Sequence, residues 1–140
     1  MSEETSQING RVLVVDDDPS LQTLVSMLLG RVGIETKGAE TAVEGIRLIN
    51  EEEFGLLILD LMLPDMDGFE LLKALRQDNR FDNLPVLILS SRADPEAISK
   101  GLALGADGYL TKPYLPHSLT HRVTTILAEG RRQTPTDETG

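Results

Sequence analysis

Three short, unbroken apolar runs constrain this chain more than any other feature: VLVV within Arg11–Asp16, LLIL at Leu56–Leu59 and VLIL within Pro85–Leu89. Each is followed at once by a polar residue, and a turn signal lies close behind. Runs of this kind read as strands buried on both faces, which places them in a sheet covered by helices on each side.

Helical periods fill the intervals. Leu21, Leu24, Val25, Leu28 and Leu29 mark one face of a first helix, with Gly33 as its stop. Ile34–Ala39 is a weaker second strand. Thr41-x-x-Glu44 resembles a capping box, with Val43, Ile46 and Ile49 as the expected buried stripe behind it. Phe69, Leu72 and Leu75 follow Gly68 as a third helix. Asp94-Pro95 repeats the cap-plus-proline helix entry of Asp18-Pro19. Ile98 and Leu102 anchor the fourth helix, where the interior Gly101 costs roughly 1 kcal/mol relative to alanine and makes this the helix expected to be least stable. Gly108–Thr111 is a short fifth strand, and Leu115, Leu119, Val123, Ile126 and Leu127 line the last helix.

A strand–helix unit repeated five times predicts an α/β fold, a doubly wound parallel sheet in a three-layer sandwich. The flavodoxin-like strand order 2-1-3-4-5 is the usual solution for such units. Residues 10–130 are expected to form the single domain, with polar disordered tails at 1–9 and 131–140. The absence of cysteine excludes disulfides and thiolate metal sites. The polar opening MSEETSQING and the lack of any stretch near ~18 apolar residues predict a cytoplasmic protein without membrane insertion. A net charge of -10, which the Arg131–Arg132 pair does not offset, argues against direct nucleic-acid binding.

Chemistry gathers at the strand ends. In the order 2-1-3-4-5 the first and third strands are neighbours, so Asp16 and Asp17 lie beside Asp60 at the carboxyl edge, where open α/β sheets bind ligands. Asp18 is accounted for as a helix cap, but Asp16 and Asp17 have no evident structural task. Two carboxylates ~5 Å apart repel by roughly 3 kcal/mol at an effective dielectric near 20. A shared proton or a cation must relieve this, and an oxygen-only site suits Mg²⁺ better than zinc. Ser90 and Lys112 end the fourth and fifth strands and point to the same edge. A carboxylate nucleophile, a hard cation, a hydroxyl and an ammonium together suit phosphoryl transfer.

The segments VLVVDDDP, LLILDLMLPDMDG, PVLILSS and GADGYLTKP resemble, in order and spacing, the receiver domain of two-component response regulators. The resemblance covers about residues 10–130 and is of the stand-alone, chemotaxis-regulator-like kind, with no output domain of its own. It implies that Asp60 is the phospho-acceptor, and that Asp17, Asp60 and the Met62 backbone carbonyl bind Mg²⁺, with Asp16 acting through a metal-bound water. It further implies phosphoryl contacts from Lys112 and Ser90, a cis bond before Pro113, and a switch built on Ser90 and Tyr109. The implied partners are a sensor histidine kinase or phosphotransfer protein and an unidentified downstream protein. A phosphorylation-dependent dimer is compatible with the same switch. The implied role is regulatory, the domain assisting only its own phosphorylation and dephosphorylation. Met62, Arg92 and Leu115 depart from the family's commonest residues, and Leu115 cannot cap the last helix.

A rival reading is a small haloacid-dehalogenase-type phosphatase or phosphotransferase using Asp16 as nucleophile, with Asp18 completing its Asp-x-Asp pair. Such enzymes carry an acidic pair after the lysine, whereas no acid follows Lys112 until Glu129. His117 and His121 have a metal-compatible spacing without an acidic third ligand nearby and are expected to be exposed. Met27 and Met66 are expected to be packing residues, and Tyr114 a cover for the core beside Pro113.

Overall fold

Each apolar run becomes a strand because its alternate side chains find a separate apolar layer on either side. In the computed structural model, which describes residues 10–132, the strands are β1 (Val12–Val15), β2 (Thr36–Ala39), β3 (Leu56–Leu59), β4 (Val86–Ser90) and β5 (Gly108–Thr111). The helices are α1 (Pro19–Gly30), α2 (Ala42–Glu51), α3 (Gly68–Arg76), α4 (Pro95–Ala103) and α5 (Pro116–Glu129), with a 3-10 turn at Asn79–Phe81. All strand pairings are parallel and the order is β2-β1-β3-β4-β5, as expected from sequence.

Leu13, Val15, Leu57, Leu59, Val86 and Ile88 face one layer, with Leu48, Phe69, Leu72 and Ala97 from α2, α3 and α4. Val12, Val14, Leu56, Ile58, Leu87 and Leu89 face the other, with Val25, Leu29, Leu119 and Val123 from α1 and α5. Burying a side chain of this size stabilises the fold by roughly 1.5–3 kcal/mol. No helix among the described residues is long and apolar enough to cross a membrane.

Local signals set most helix boundaries. Asp18 accepts from the Ser20 and Leu21 N–H groups, Thr41 from Glu44 and Asp94 from Ala97. Gly33, at φ +82°, reverses the chain after α1, with Ile34 N–H bonded to Leu29 O and Gly33 N–H to Gly30 O. That is the Schellman arrangement, and glycine suits its left-handed position. Leu115 precedes α5 without a side-chain cap, as its chemistry requires, and is 62% exposed.

Packing overrides periodicity elsewhere. On α2 the buried residues are Ala42, Gly45, Leu48 and Ile49, whereas Val43 and Ile46 face outward. The helix lies too near the sheet for larger residues: a Cβ on Gly45 would stand 2.8 Å from a Val15 methyl. Likewise α4 buries Ala97 and Gly101, leaving Ile98 and Leu102 half-buried, because a Cβ on Gly101 would meet Ile88 at 2.6 Å. Leu24 and Met27 are exposed on α1 rather than packed, and β2 begins at Thr36, two residues later than expected. Met66 packs against the core.

Arg131 and Arg132, assigned from sequence to the C-terminal tail, are instead bound to the domain: both reach Asp107. The fold therefore extends past residue 130. The remaining tail positions, 1–9 and 133–140, lie outside the described residues.

Candidate functional site

The pairing register brings the first and third strand ends level. Val15 stands beside Leu59, and the Asp60 N–H donates to Val15 O at 3.0 Å. Asp16 and Asp60 are thereby placed side by side at the carboxyl edge, both nearly buried. Asp17 follows on the exposed rim. One carboxylate oxygen from each of Asp16, Asp17 and Asp60 lies within 4.8 Å of the others.

Lys112, at the end of β5, reaches into this group. Its Nζ donates to Asp16 Oδ2 at 2.8 Å and lies 3.5 Å from Asp60 Oδ2. Burial by itself lowers the Lys112 pKa, but contact with Asp16 and then Asp60 outweighs it, and the net direction is upward. Asp60 is also pushed up, first by burial and then by the Asp16 charge, while the Met62 N–H and Lys112 oppose the rise. The result is a buried carboxylate at the sheet edge, crowded enough to gain from a cation. Three carboxylates and one ammonium, with only oxygen donors facing the gap, fit a hard divalent ion such as Mg²⁺.

The loop after Asp60 is held from several sides. Met62 N–H donates to Asp60 Oδ1 at 3.2 Å, Gly68 N–H to Leu61 O at 2.9 Å, and Met62 pairs with Asp67 in an isolated antiparallel bridge. The Met62 side chain itself is 60% exposed. Gly68 admits no side chain, since a Cβ there would lie 2.6 Å from both Asp60 O and Leu61 Cα. Asp65 reaches across to cap another element, accepting from Ala42 N–H at 2.8 Å and Val43 N–H at 3.0 Å.

Ser90 is fully buried at the end of β4, where its Oγ accepts from Arg92 N–H at 3.2 Å and its carbonyl accepts from Lys112 N–H at 2.8 Å. Tyr109 on β5 is half-buried against the core and donates its hydroxyl to Arg92 O at 2.7 Å. Burial raises its pKa. The Lys112–Pro113 peptide is cis. Tyr114 packs on the α1/α5 layer, its hydroxyl buried without a hydrogen-bond partner. His117 and His121 are exposed, and among the described residues only the three aspartates form a candidate metal group.

Two contributors carried little sequence signal. Gln22 donates from Nε2 to Val14 O, Asp16 O and Ala39 O at 2.9–3.0 Å, lacing α1 to the ends of β1 and β2. The only hint was a polar residue three before Val25 on an apolar face. Asp65 had none, because its partners lie more than twenty residues away. Asp16 also has a structural bond after all, accepting from Asp18 N–H at 2.9 Å.

Residues 12–124 match the response regulator receiver domain. Among curated proteins, the chain is 37% identical over 131 residues to the alkaline phosphatase synthesis transcriptional regulatory protein PhoP of Bacillus subtilis, covering 94% of this chain and 54% of that protein. It is 38% identical over 120 residues to the transcriptional regulatory protein GltR of Pseudomonas aeruginosa, covering 85% and 50%. The chain thus spans about half the length of the curated relatives it matches. Among solved structures, the Francisella response regulator 1452 receiver domain superposes with a TM-score of 0.80 at 37% identity, covering 85% of this chain and 97% of that one. The chemotaxis response regulator CheY4 of Vibrio cholerae gives 0.78 at 34% identity, covering 83% and 97%. The dehalogenase-type rival is not favoured by any of these matches. With the sheet order, the level strand ends and the lysine at the acids all in agreement with them, this chain belongs to the response regulator receiver domain family.

Proposed function

We propose that this chain accepts a phosphoryl group on Asp60 and converts that event into a change on the face formed by α4, β5 and α5. The observation that carries the reading is Asp60 itself, 6% exposed at the end of the central strand, clustered with Asp16 and Asp17 and faced by Lys112. An Asp60 oxygen forms the new P–O bond as the P–N bond of a phosphorylated histidine breaks, the electron pair leaving with the imidazole nitrogen. The donor is a sensor histidine kinase or a phosphotransfer protein.

Asp17, Asp60 and the Met62 backbone carbonyl would hold Mg²⁺, with Asp16 acting through water. The ion supplies positive charge against the phosphoryl oxygens. Lys112 adds its ammonium to the same oxygens, exchanging part of its hold on Asp16 and Asp60. The Ser90 hydroxyl supplies a further donor once it turns away from the Arg92 backbone. Because Arg92 also receives the Tyr109 hydroxyl, movement of Ser90 and of Tyr109 is coupled through one loop. The role is regulatory, with no separate substrate turned over. PhoP and GltR are named as transcriptional regulators, but a net charge of -10 argues against direct binding of nucleic acid by this chain. Any contact with nucleic acid goes through another domain or protein.

The test is chemical trapping. The protein is incubated with Mg²⁺ and a small acyl phosphate, then reduced with labelled borohydride. The label is expected on Asp60, to persist in Asp16→Asn at reduced yield and to vanish in Asp60→Asn. A label on Asp16 would return the reading to the dehalogenase type.

A further inference from the structure

At the amino edge of the sheet, away from the phosphoryl site, lies a second cluster of charges. Asp107 stands just before β5 with its side chain 1% exposed. Its carboxylate accepts from Val86 N–H at 2.9 Å, Arg76 Nη2 at 3.1 Å, Arg131 Nε at 2.8 Å and the Arg132 backbone N–H at 2.8 Å. Arg131 donates further to Asp82 O at 2.9 Å and Gly105 O at 3.1 Å. Arg132 donates from Nε to Ala106 O at 2.8 Å and from Nη2 to Leu102 O at 2.7 Å.

Leu102 belongs to the last turn of α4, where the dipole favours a cation; its carbonyl also accepts from Gly105 N–H at 3.1 Å. The planar fork of arginine suits such a set of fixed acceptors. The chain reaches it through Gly130, at φ +78° and ψ −152°, a region essentially reserved for glycine. Arg131 and Arg76 repel each other: burial and then the Arg131 charge bring the Arg76 pKa down to about 10, so it stays cationic at neutral pH. The buried carboxylate between them offsets that repulsion.

We propose that Arg131 and Arg132 are a latch that fastens the chain leaving α5 to the end of α4 and the start of β5. A shift of α4 against β5 cannot keep the Leu102, Gly105 and Asp107 contacts together. Phosphorylation of Asp60 therefore opens the latch and releases Arg131 and Arg132 from Asp107 and Leu102. The inference rests on the phosphoryl-switch reading above. Bonds made only in the closed arrangement oppose the switch, and coupling is reciprocal, so removing them must favour the phosphoryl state.

The experiment uses the full chain with Mg²⁺ and beryllofluoride, a stand-in for the phosphoryl group, followed by nuclear magnetic resonance. In the unmodified protein the Arg131 and Arg132 Nε–H signals are expected to exchange slowly without beryllofluoride and rapidly with it. The double variant Arg131→Ala/Arg132→Ala, and separately Gly130→Ala, should half-saturate at beryllofluoride concentrations lower by at least about fivefold. The latch is overturned if the Nε–H signals are equally protected in both states, or if half-saturation stays within about twofold. Amides around Asp60 report independently: if they never shift, the phosphoryl reading fails and takes the latch with it. If they shift while the arginine signals stay protected, only the latch fails. Should the double variant not fold, the arginine signals of the unmodified protein decide.

Discussion

Asp60 is placed where it costs stability. Burial and the Asp16 charge raise its pKa, so the folded protein holds this carboxylate less comfortably than the unfolded chain does. A carboxyl group with a raised folded pKa weakens the fold above that pKa, and the penalty is relieved as pH falls through it. Replacing Asp60 by Asn leaves a neutral group of the same shape. Asp60→Asn is expected to gain about 1 kcal/mol at neutral pH while losing phosphoryl acceptance, the usual trade between a strained site and stability. Urea denaturation measures it: the advantage should be largest near pH ~7 and vanish on acidification below about 4, the unfolded carboxylate range. A variant no more stable than the original at neutral pH would mean that Lys112 already neutralises the penalty.

Among the elements, the loop between β3 and α3 depends most on a single residue. Gly68 brings the helix start within contact of the Asp60 and Leu61 backbones, neither of which can turn aside as a flexible side chain would. Gly68→Ala must displace the loop that carries Met62. The expected loss is about 1–3 kcal/mol in stability. Mg²⁺ affinity should also fall roughly 10–100-fold, as for other groups that orient a metal site from behind. Denaturation and Mg²⁺ titration of the same variant separate the two effects. Reduced stability with unchanged Mg²⁺ binding would assign Gly68 to packing alone. The same loop is steadied by Asp65, whose two bonds to α2 satisfy helix N–H groups that would otherwise lack partners.

Among the described residues, several carboxylates have a lowered pKa, against the raised one of Asp60. Hydrogen bonds hold Glu44 to Arg47, Glu52 to Arg11, Asp65 to the Ala42 and Val43 N–H groups, Asp78 to Arg80 and Asp94 to Arg92, and each pKa is lowered. A lowered folded pKa contributes stability that is complete above the unfolded value and lost as pH falls through the folded one. The protein should therefore lose stability progressively below about pH 4. A urea midpoint followed from about pH 6 to about pH 3 tests this. A midpoint that rose throughout would mean that Asp60 and the relief of a net charge of -10 dominate the surface pairs.

What the amino-acid sequence determined by itself was local or periodic: the apolar runs of β1, β3 and β4, the caps at Asp18, Thr41 and Asp94, and the acids, hydroxyl and lysine at strand ends. Those features follow from side-chain chemistry over a few neighbouring positions, and their order along the chain was enough to imply the sheet. Tertiary structure alone decided which face of α2 is buried. Ala42 and Gly45 face the sheet because close approach rewards small residues, a preference that the spacing of Val43 and Ile46 conceals. It also decided every long-range bond, from Asp65 on α2 to Arg131 on Asp107, which brought the last two described residues into the fold. A hydrogen bond between residues more than twenty positions apart leaves no local pattern, because its partners become neighbours only after the chain has packed.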